Sequence, residues 1–327
     1  MMTEQQNDML ILGVDLGGTK IETSLVDTTG HILASHRSPT QPEKGPDGVI
    51  NDIIECVNSC LGEASQSAQA LGIGMAGQIE KDTGIVRFAP NLGWHSIPLR
   101  AKLEEALALP VIVTNDVRAA TYGEWLYGTG QGVKDLVCLF VGTGVGGGIV
   151  SGGRLLEGCN NTSGELGHMT IVSGGRQCHC RNQGCLEAYA GGWAIGERVQ
   201  EAVRNDLKAG KALITLAGSV EKISAATVTE AYANGDPLAQ RMVEETAQFL
   251  AAGLVGIINA FNPCLVVLGG GVIQGLPVYT SLVQHMVRLK ALETALEGLR
   301  IVTAALGNKA GVIGAAALAR YWFHKVE

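Results

Sequence analysis

The chain has 327 residues, 46% of them hydrophobic, which is long enough for two domains with separate cores. A formal charge of −7 argues against nucleic-acid backbone or an anionic membrane as the main partner. An anionic small molecule stays open, because backbone amides hold phosphate without a basic surface.

Met1 to Leu10 is polar and has no cationic stretch leading into an apolar run, so no secretory signal is expected. Met9 to Asp15 reads as a strand entering the turn Asp15-Leu16-Gly17-Gly18-Thr19-Lys20, and Lys20 to Val26 as a second strand. Another turn, Asp27 to Gly30, follows at once, so a hairpin fits better than a strand-turn-helix unit. The first turn has two readings. It is a plain hairpin turn, or its backbone cradles an anion, with the Thr19 hydroxyl and Lys20 charge helping and Asp15 holding hydrated magnesium. It is not a Walker loop, since the G-x-x-x-x-G-K-[ST] spacing is absent.

Val49 to Leu61 has helical periodicity, and Ala70 to Met75 is a small-residue strand. Asn91-Leu92-Gly93-Trp94 is either a loop anchored by a core Trp or a sugar contact through Asn91. Leu99 to Leu107 reads as a short helix, Val111 to Thr114 as a buried strand, and Val117 to Tyr127 as a helix. Asn115-Asp116 sits at the junction. Asp116 is either the helix N-cap or a carboxylate facing a ligand at the carboxyl end of the strand. In phosphoryl transfer such a carboxylate accepts the proton of the attacking hydroxyl, and a helix N-terminus keeps it ionised.

The pattern then restarts. Asp135 to Val141 is a strand, Gly142 to Gly148 a glycine turn, and Gly148 to Ser151 opens another strand. Two strand-glycine-strand hairpins point to a duplicated α/β domain with a cleft between the copies. Five glycines in the seven positions 142–148 exceed what a hairpin needs. His168 is followed by Cys178, Cys180 and Cys185, three thiolates and one imidazole, a full tetrahedral set for structural zinc. No open coordination position remains, so metal hydrolysis is not expected. His179 either competes as a ligand or is solvated, and the solvated reading is preferred. Glu165 and Glu187 bracket this knot, placed to accept hydrogen bonds from a polyol or simply solvated. Cys56, Cys60, Cys138, Cys159 and Cys264 read as reduced thiols, since a large chain without an export signal does not call for disulfides.

Glu197 to Leu207, Thr227 to Tyr232 and Pro237 to Phe261 read as helices. The apolar stretch from Phe249 to Phe261 is shorter than the roughly 20 residues of a membrane span, so a soluble cytoplasmic protein is expected. Cys264 to Leu268 is a buried strand entering Gly269-Gly270-Gly271, and a helix from about Gly311 to His324 ends the chain. The three glycine loops together suggest phosphates clamped from two sides and a nucleoside along the third.

In order and spacing, DLGGTK at 15–20, APNLGW at 89–94, Asn115-Asp116, GTGVGGG at 142–148, ELGH at 165–168, the cysteine cluster with Leu186-Glu187, Leu268 to Gly271 and GNKAGVIG at 307–314 resemble the ROK family (repressors, open reading frames, sugar kinases), and within it the bacterial glucokinases. The resemblance implies an α/β, actin-like ATPase (ribonuclease H-like) fold, two lobes about a central cleft. It implies ATP-dependent phosphorylation of a hexose at its 6-hydroxyl, with magnesium-ATP as donor and structural zinc. Carried over by position, Asp116 is the catalytic base. Gly77, Asn91, Asn115, Asp116, Glu165, His168 and Glu187 contact the sugar, His168 serving zinc as well. Asp15, Gly17, Gly18, Thr19, Lys20, Thr143 and Gly144 face magnesium and phosphates, and Gly270 the adenosine. The expected division is a small lobe over 1–116, with the helix at about 311–327 packing back on it, and a large lobe over 117–310 with the zinc site. A homo-oligomer, dimer or tetramer, is expected.

Two departures from the family pattern bear on the site: Arg181 where the family usually has Gly, and Arg118 where relatives usually have Asn. A small residue is common at Ser163, a minor change. Glucose is the expected substrate, with N-acetylmannosamine, N-acetylglucosamine or fructose as alternatives. A sugar-responsive repressor is disfavoured by the acidic chain and by the short segment before the first strand.

Overall fold

The structure, a computed structural model, describes residues 9–326; all but the end of the polar Met1–Leu10 stretch lies outside that range. Along the chain run β1 (Ile11–Leu16), β2 (Lys20–Val26), β3 (Ile32–Pro39), α1 (Gly45–Ala64), β4 (Ala70–Met75), β5 (Gln78–Ile79), β6 (Val86–Ala89), β7 (Trp94–Ile97), α2 (Leu99–Leu107), β8 (Val111–Asn115) and α3 (Asp116–Tyr127). Then come β9 (Leu136–Val141), β10 (Val145–Ser151), β11 (Arg154–Leu155), α4 (Glu187–Ala190), α5 (Gly192–Asn205), α6 (Lys211–Ala217), α7 (Ala225–Ala233) and α8 (Pro237–Phe261). The chain closes with β12 (Leu265–Gly269), α9 (Gly271–Gly275), α10 (Val278–Arg288), α11 (Glu293–Leu296), β13 (Arg300–Thr303) and α12 (Ala310–Val326).

The chain forms two compact units. Unit 1 holds the residues up to Gly132, Leu155–Ser163 and the chain from Asn308 onward; unit 2 holds Val133–Arg154 and Gly164–Gly307. Each is built on a five-stranded sheet, ordered β3-β2-β1-β4-β8 in the first and β11-β10-β9-β12-β13 in the second. The two orders correspond strand for strand, with an antiparallel hairpin (β1-β2, β9-β10) followed by parallel partners (β4, β8; β12, β13). This is the duplication signalled by the two glycine hairpins.

Strand alternation sets the layers of unit 1. Leu12, Val14, Leu71 and Ile73 point into a core shared with Ile53, Val57 and Cys60 of α1 and Leu99 and Leu103 of α2. The residues between them are Gly13 and Gly72, and α12 lies directly on them. A Cβ at Gly13 would fall 1.9 Å from the Val312 carbonyl oxygen, and one at Gly72 equally close to that of Ala315. Unit 1 extends past residue 116 to Gly132 because α3 meets α12 in the same way: a Cβ at Gly314 would lie 1.7 Å from the Ala119 carbonyl oxygen.

In unit 2, α8 begins at an Asp236 cap that accepts the Ala239 N–H at 2.8 Å, with Pro237 at the first helical position. It ends at Asn262 with φ 44°. Helix α5 starts at Gly192, ahead of the Glu197 expected from sequence. The Gly192 and Trp193 N–H groups, unpartnered inside a first helical turn, donate to the Gly142 and Thr143 carbonyls at 2.9 and 3.1 Å. The glycine turn thus caps this helix from outside.

Candidate active site

In unit 1 the junction of β8 and α3 settles which residue caps the helix. Asn115 holds extended backbone, φ −69° and ψ 142°, and its side chain accepts the Arg118 N–H at 3.1 Å. Asn115 is therefore the N-cap, and Asp116 stands at the first helical position. Its Oδ1 accepts the Val117 N–H at 2.9 Å, at the helix end that favours a negative charge. Arg118 is buried and clamps the 155–163 segment, donating to the Asn161 side chain, the Asn161 carbonyl at 2.8 Å and the Ser163 carbonyl at 3.5 Å.

The first glycine turn is a hairpin turn closed by the Gly17 N–H donating to the Lys20 carbonyl at 2.9 Å. Thr40 braces it, its hydroxyl donating to the Gly17 carbonyl at 2.8 Å and its N–H to that of Thr19 at 3.0 Å. The Thr19 side chain is left exposed. Gly18 packs on Asn91, where an added Cβ would meet the Asn91 Cβ at 3.3 Å, so this turn and Asn91 are neighbours. Trp94 behind Asn91 is fully buried, the core anchor of that loop. Gly77 sits where a Cβ would be 2.8 Å from the Phe88 carbonyl oxygen. Burial pushes the Asp15 carboxyl above its usual value, against the opposing charges of Lys20 and Arg37.

Lys20 is half exposed and ion-paired within unit 1. Its ammonium donates to Glu22 at 3.2 Å, and Arg37 and Lys309 reach the same carboxylate. Burial alone would raise the Glu22 carboxyl, but its bonds to Arg37, Lys309 and Lys20 outweigh that and hold it at about 2. Sequence reasoning missed Glu22, a single acid inside a buried strand; two of its three cations, Arg37 of β3 and Lys309 just before α12, are remote in the chain.

In unit 2 the four expected ligands gather. One donor atom each from His168, Cys178, Cys180 and Cys185 lies within 4.8 Å of all the others. His168 Nδ1 is 3.8 Å from the Cys178 sulfur, and the sulfurs of Cys180 and Cys185 are 3.6 Å apart. Burial pushes the Cys178 thiol up to about 12, so a cation is the group that would turn it into a thiolate. Four soft donors at this closeness fit zinc. His168 Nε2 points the other way, 3.9 Å from Glu165 Oε2. His179 is exposed but is not simply solvated: its ring stacks on Trp193 with centroids 4.1 Å apart and 23° between planes. Arg181 adopts φ 74°, the left-handed region that favours glycine, so the turn keeps the shape a glycine would take and carries a side chain under strain.

Glu187 joins this knot to the second glycine turn. Oε2 accepts the Val145 N–H at 2.9 Å and Oε1 the Trp193 Nε1–H at 3.4 Å. A Cβ at Gly144 would fall 2.3 Å from Oε2, so only glycine leaves room for the carboxylate. The turn itself is shorter than expected from sequence. It spans Gly142–Gly144, closed by a 2.9 Å bond from the Gly142 N–H to the Gly144 carbonyl, with the Thr143 side chain exposed. Gly146, Gly147 and Gly148 belong to β10. Gly147 serves close packing, since a Cβ there would meet Leu166 at 2.4 Å; on the facing segment a Cβ at Gly167 would meet the Val145 carbonyl oxygen at 1.9 Å. Gly270, at φ 87°, backs onto the end of β9, 2.4 Å separating a would-be Cβ from the Val141 carbonyl oxygen. The second and third glycine loops are thus adjacent within unit 2.

Residues 11–321 match the family described as the ROK family. The chain is 36% identical over 318 residues to a glucokinase of Streptomyces coelicolor, covering 95% of this chain and 98% of that one. It is 34% identical over 310 residues to a glucokinase of Thermotoga maritima, covering 94% of this chain and 96% of that protein. Among solved structures it is similar to a ROK family glucokinase from Streptomyces griseus in complex with glucose and AMPPNP, with a TM-score of 0.84, 36% identity and coverage of 95% of this chain and 99% of that one. Among the described residues no helix is long and apolar enough to cross a membrane. The fold, two sheets of matched strand order, is that of the actin-like ATPases. With the match running through every motif from β1 to α12, the chain belongs to the ROK family.

Proposed function

We propose that the chain is an ATP-dependent hexokinase-type phosphotransferase that converts glucose to glucose 6-phosphate. The observation that carries this reading is the near full-length similarity to glucokinases, one of them seen with glucose and AMPPNP. The geometry supports it residue by residue. Asn115 does the capping, and the Asp116 carboxylate stands at the first helical position, where a negative charge is favoured. In the proposed step Asp116 accepts the proton of the glucose 6-hydroxyl. The O6 atom bonds to the γ-phosphorus, the bond from that phosphorus to its bridging oxygen breaks, and ADP leaves.

Gly77, Asn91, Asn115, Glu165, His168 and Glu187 are assigned to the sugar hydroxyls. Gly17, Gly18, Thr19, Thr143 and Gly144 are assigned to the phosphates and Gly270 to the adenosine, backbone approach being the common means. Lys20, half exposed and paired with Glu22, is assigned to the phosphates with them. Magnesium, when bound, would neutralise phosphate charge, and Asp15 is the carboxylate suited to hold it. Zinc on His168, Cys178, Cys180 and Cys185 would supply cross-linking rather than catalysis, since four protein donors fill its coordination. His168 serves both roles through its two nitrogens, Nδ1 toward sulfur and Nε2 toward Glu165. A soluble, cytoplasmic homo-oligomer, dimer or tetramer, completes the proposal, and light scattering reads its mass.

A coupled assay with magnesium-ATP and a panel of glucose, N-acetylmannosamine, N-acetylglucosamine and fructose tests the substrate. Glucose is expected to give the highest kcat/KM. Turnover of another hexose without turnover of glucose would overturn the specificity.

A further inference from the structure

We infer that Trp193 is a positioning residue that ties the metal loop, the Glu187 carboxylate and the Gly142–Gly144 turn into one rigid frame, an inference that rests on the kinase reading above. Every contact lies inside unit 2. The indole Nε1–H donates to Glu187 Oε1 at 3.4 Å, while Oε2 takes the Val145 N–H at 2.9 Å. The Trp193 backbone N–H donates to the Thr143 carbonyl at 3.1 Å. Thr143, Trp193, Glu187 and Val145 therefore close a ring of hydrogen bonds around Gly144, where no side chain fits. His179, between two of the metal ligands, stacks on the indole at 4.1 Å.

The chemistry of the indole suits this place. Its N–H is a donor with no competing acceptor, and its face is wide enough to stack an imidazole. A carboxylate has about four lone-pair sites. Val145, Trp193 and the Cys178 thiol, 3.9 Å from Oε1, engage three of them, which leaves one for a sugar hydroxyl. Held by both oxygens, Glu187 offers that site in one orientation. His168, Cys178, Cys180 and Cys185 would complete a metal's coordination, so His179 is left to carry the loop's position to Trp193.

The test uses the full-length protein with Trp193→Phe, which keeps a ring on His179 and the backbone N–H on Thr143 but deletes the donor to Glu187. The expected result is a rise of about fivefold in KM for glucose, the worth of one such hydrogen bond, with KM for ATP unchanged within about twofold. An unchanged KM for glucose overturns the inference. So does an equal rise in both KM values with a lowered Tm, the pattern of general loosening. A second readout needs no turnover. The emission of wild type minus that of Trp193→Phe isolates Trp193, and it should change when a chelator strips the metal. A difference signal indifferent to the chelator overturns the link to the metal loop. If wild type phosphorylates no hexose, the kinase reading fails, and the emission readout still decides whether Trp193 reports the loop.

Discussion

The Glu187 side chain and the Val145 backbone are joined by one hydrogen bond, the Val145 N–H donating to Oε2 at 2.9 Å. The carboxylate assigned to the sugar is thus fixed by the first residue of β10, directly after the turn assigned to the phosphates. Gly144 makes this possible by leaving the space that Oε2 fills.

Gly144→Ala would place a methyl group 2.3 Å from Glu187 Oε2 and force the carboxylate off Val145. Losing a charge-assisted bond of about 1.5–3 kcal/mol predicts a fall in kcat/KM of about tenfold or more. Steady-state kinetics with varied glucose and varied ATP measures it, and wild-type values would show that Glu187 does not depend on this contact.

Arg181→Gly should stabilise the metal loop. A non-glycine residue at φ 74° costs about 1 kcal/mol once the greater freedom of unfolded glycine is subtracted. The expected rise in Tm of unit 2 is about 2–4 °C with zinc content unchanged. A lowered Tm would mean that the Arg181 side chain contributes more than its backbone strain removes.

Cys180→Ser removes one of the four donors and should release the metal. Structural zinc contributes folding free energy directly, so a loss of about 3 kcal/mol or more is expected, with weakened glucose binding. Metal analysis and thermal melting check this; a fully zinc-loaded variant of normal activity would contradict the ligand set.

Glu22 predicts an acid-side loss of stability. Its folded pKa, about 2, lies below the ordinary carboxylate value, so its contribution is fully present above the unfolded pKa and disappears as pH falls through about 2. With its cations half exposed, the contribution is discounted to roughly 2 kcal/mol. Denaturant unfolding from pH 5 to pH 2 should show a steeper loss in wild type than in Glu22→Gln. Equal slopes would remove Glu22 from the account of acid stability.

Elements whose punctuation is local were legible in the sequence. Ala70–Met75, Leu99–Leu107 and Pro237–Phe261 coincide with their expected bounds. Glycine and proline punctuate these segments, and Asp236 and Pro237 together open α8. The gathering of His168, Cys178, Cys180 and Cys185 was legible because three cysteines and a histidine so close in the chain make a complete tetrahedral donor set by themselves. What stayed hidden depends on partners distant in the chain. Glu22 draws Lys309 from the far end of the sequence, and Gly147 of β10 answers to Leu166 and Gly164. The strain at Arg181 and the stacking of His179 on Trp193 are likewise properties of folded backbone, not of spacing.

The central claim, that Asp116 is the base of a glucose phosphotransfer, meets its most direct test in Asp116→Asn. The measurement is kcat with magnesium-ATP alongside calorimetric glucose binding, on the variant and wild type. Loss of a general base predicts a fall in kcat of about 10³–10⁴, with glucose affinity retained within about threefold. A variant that keeps a near-normal kcat would contradict the assignment and move the proton acceptor elsewhere.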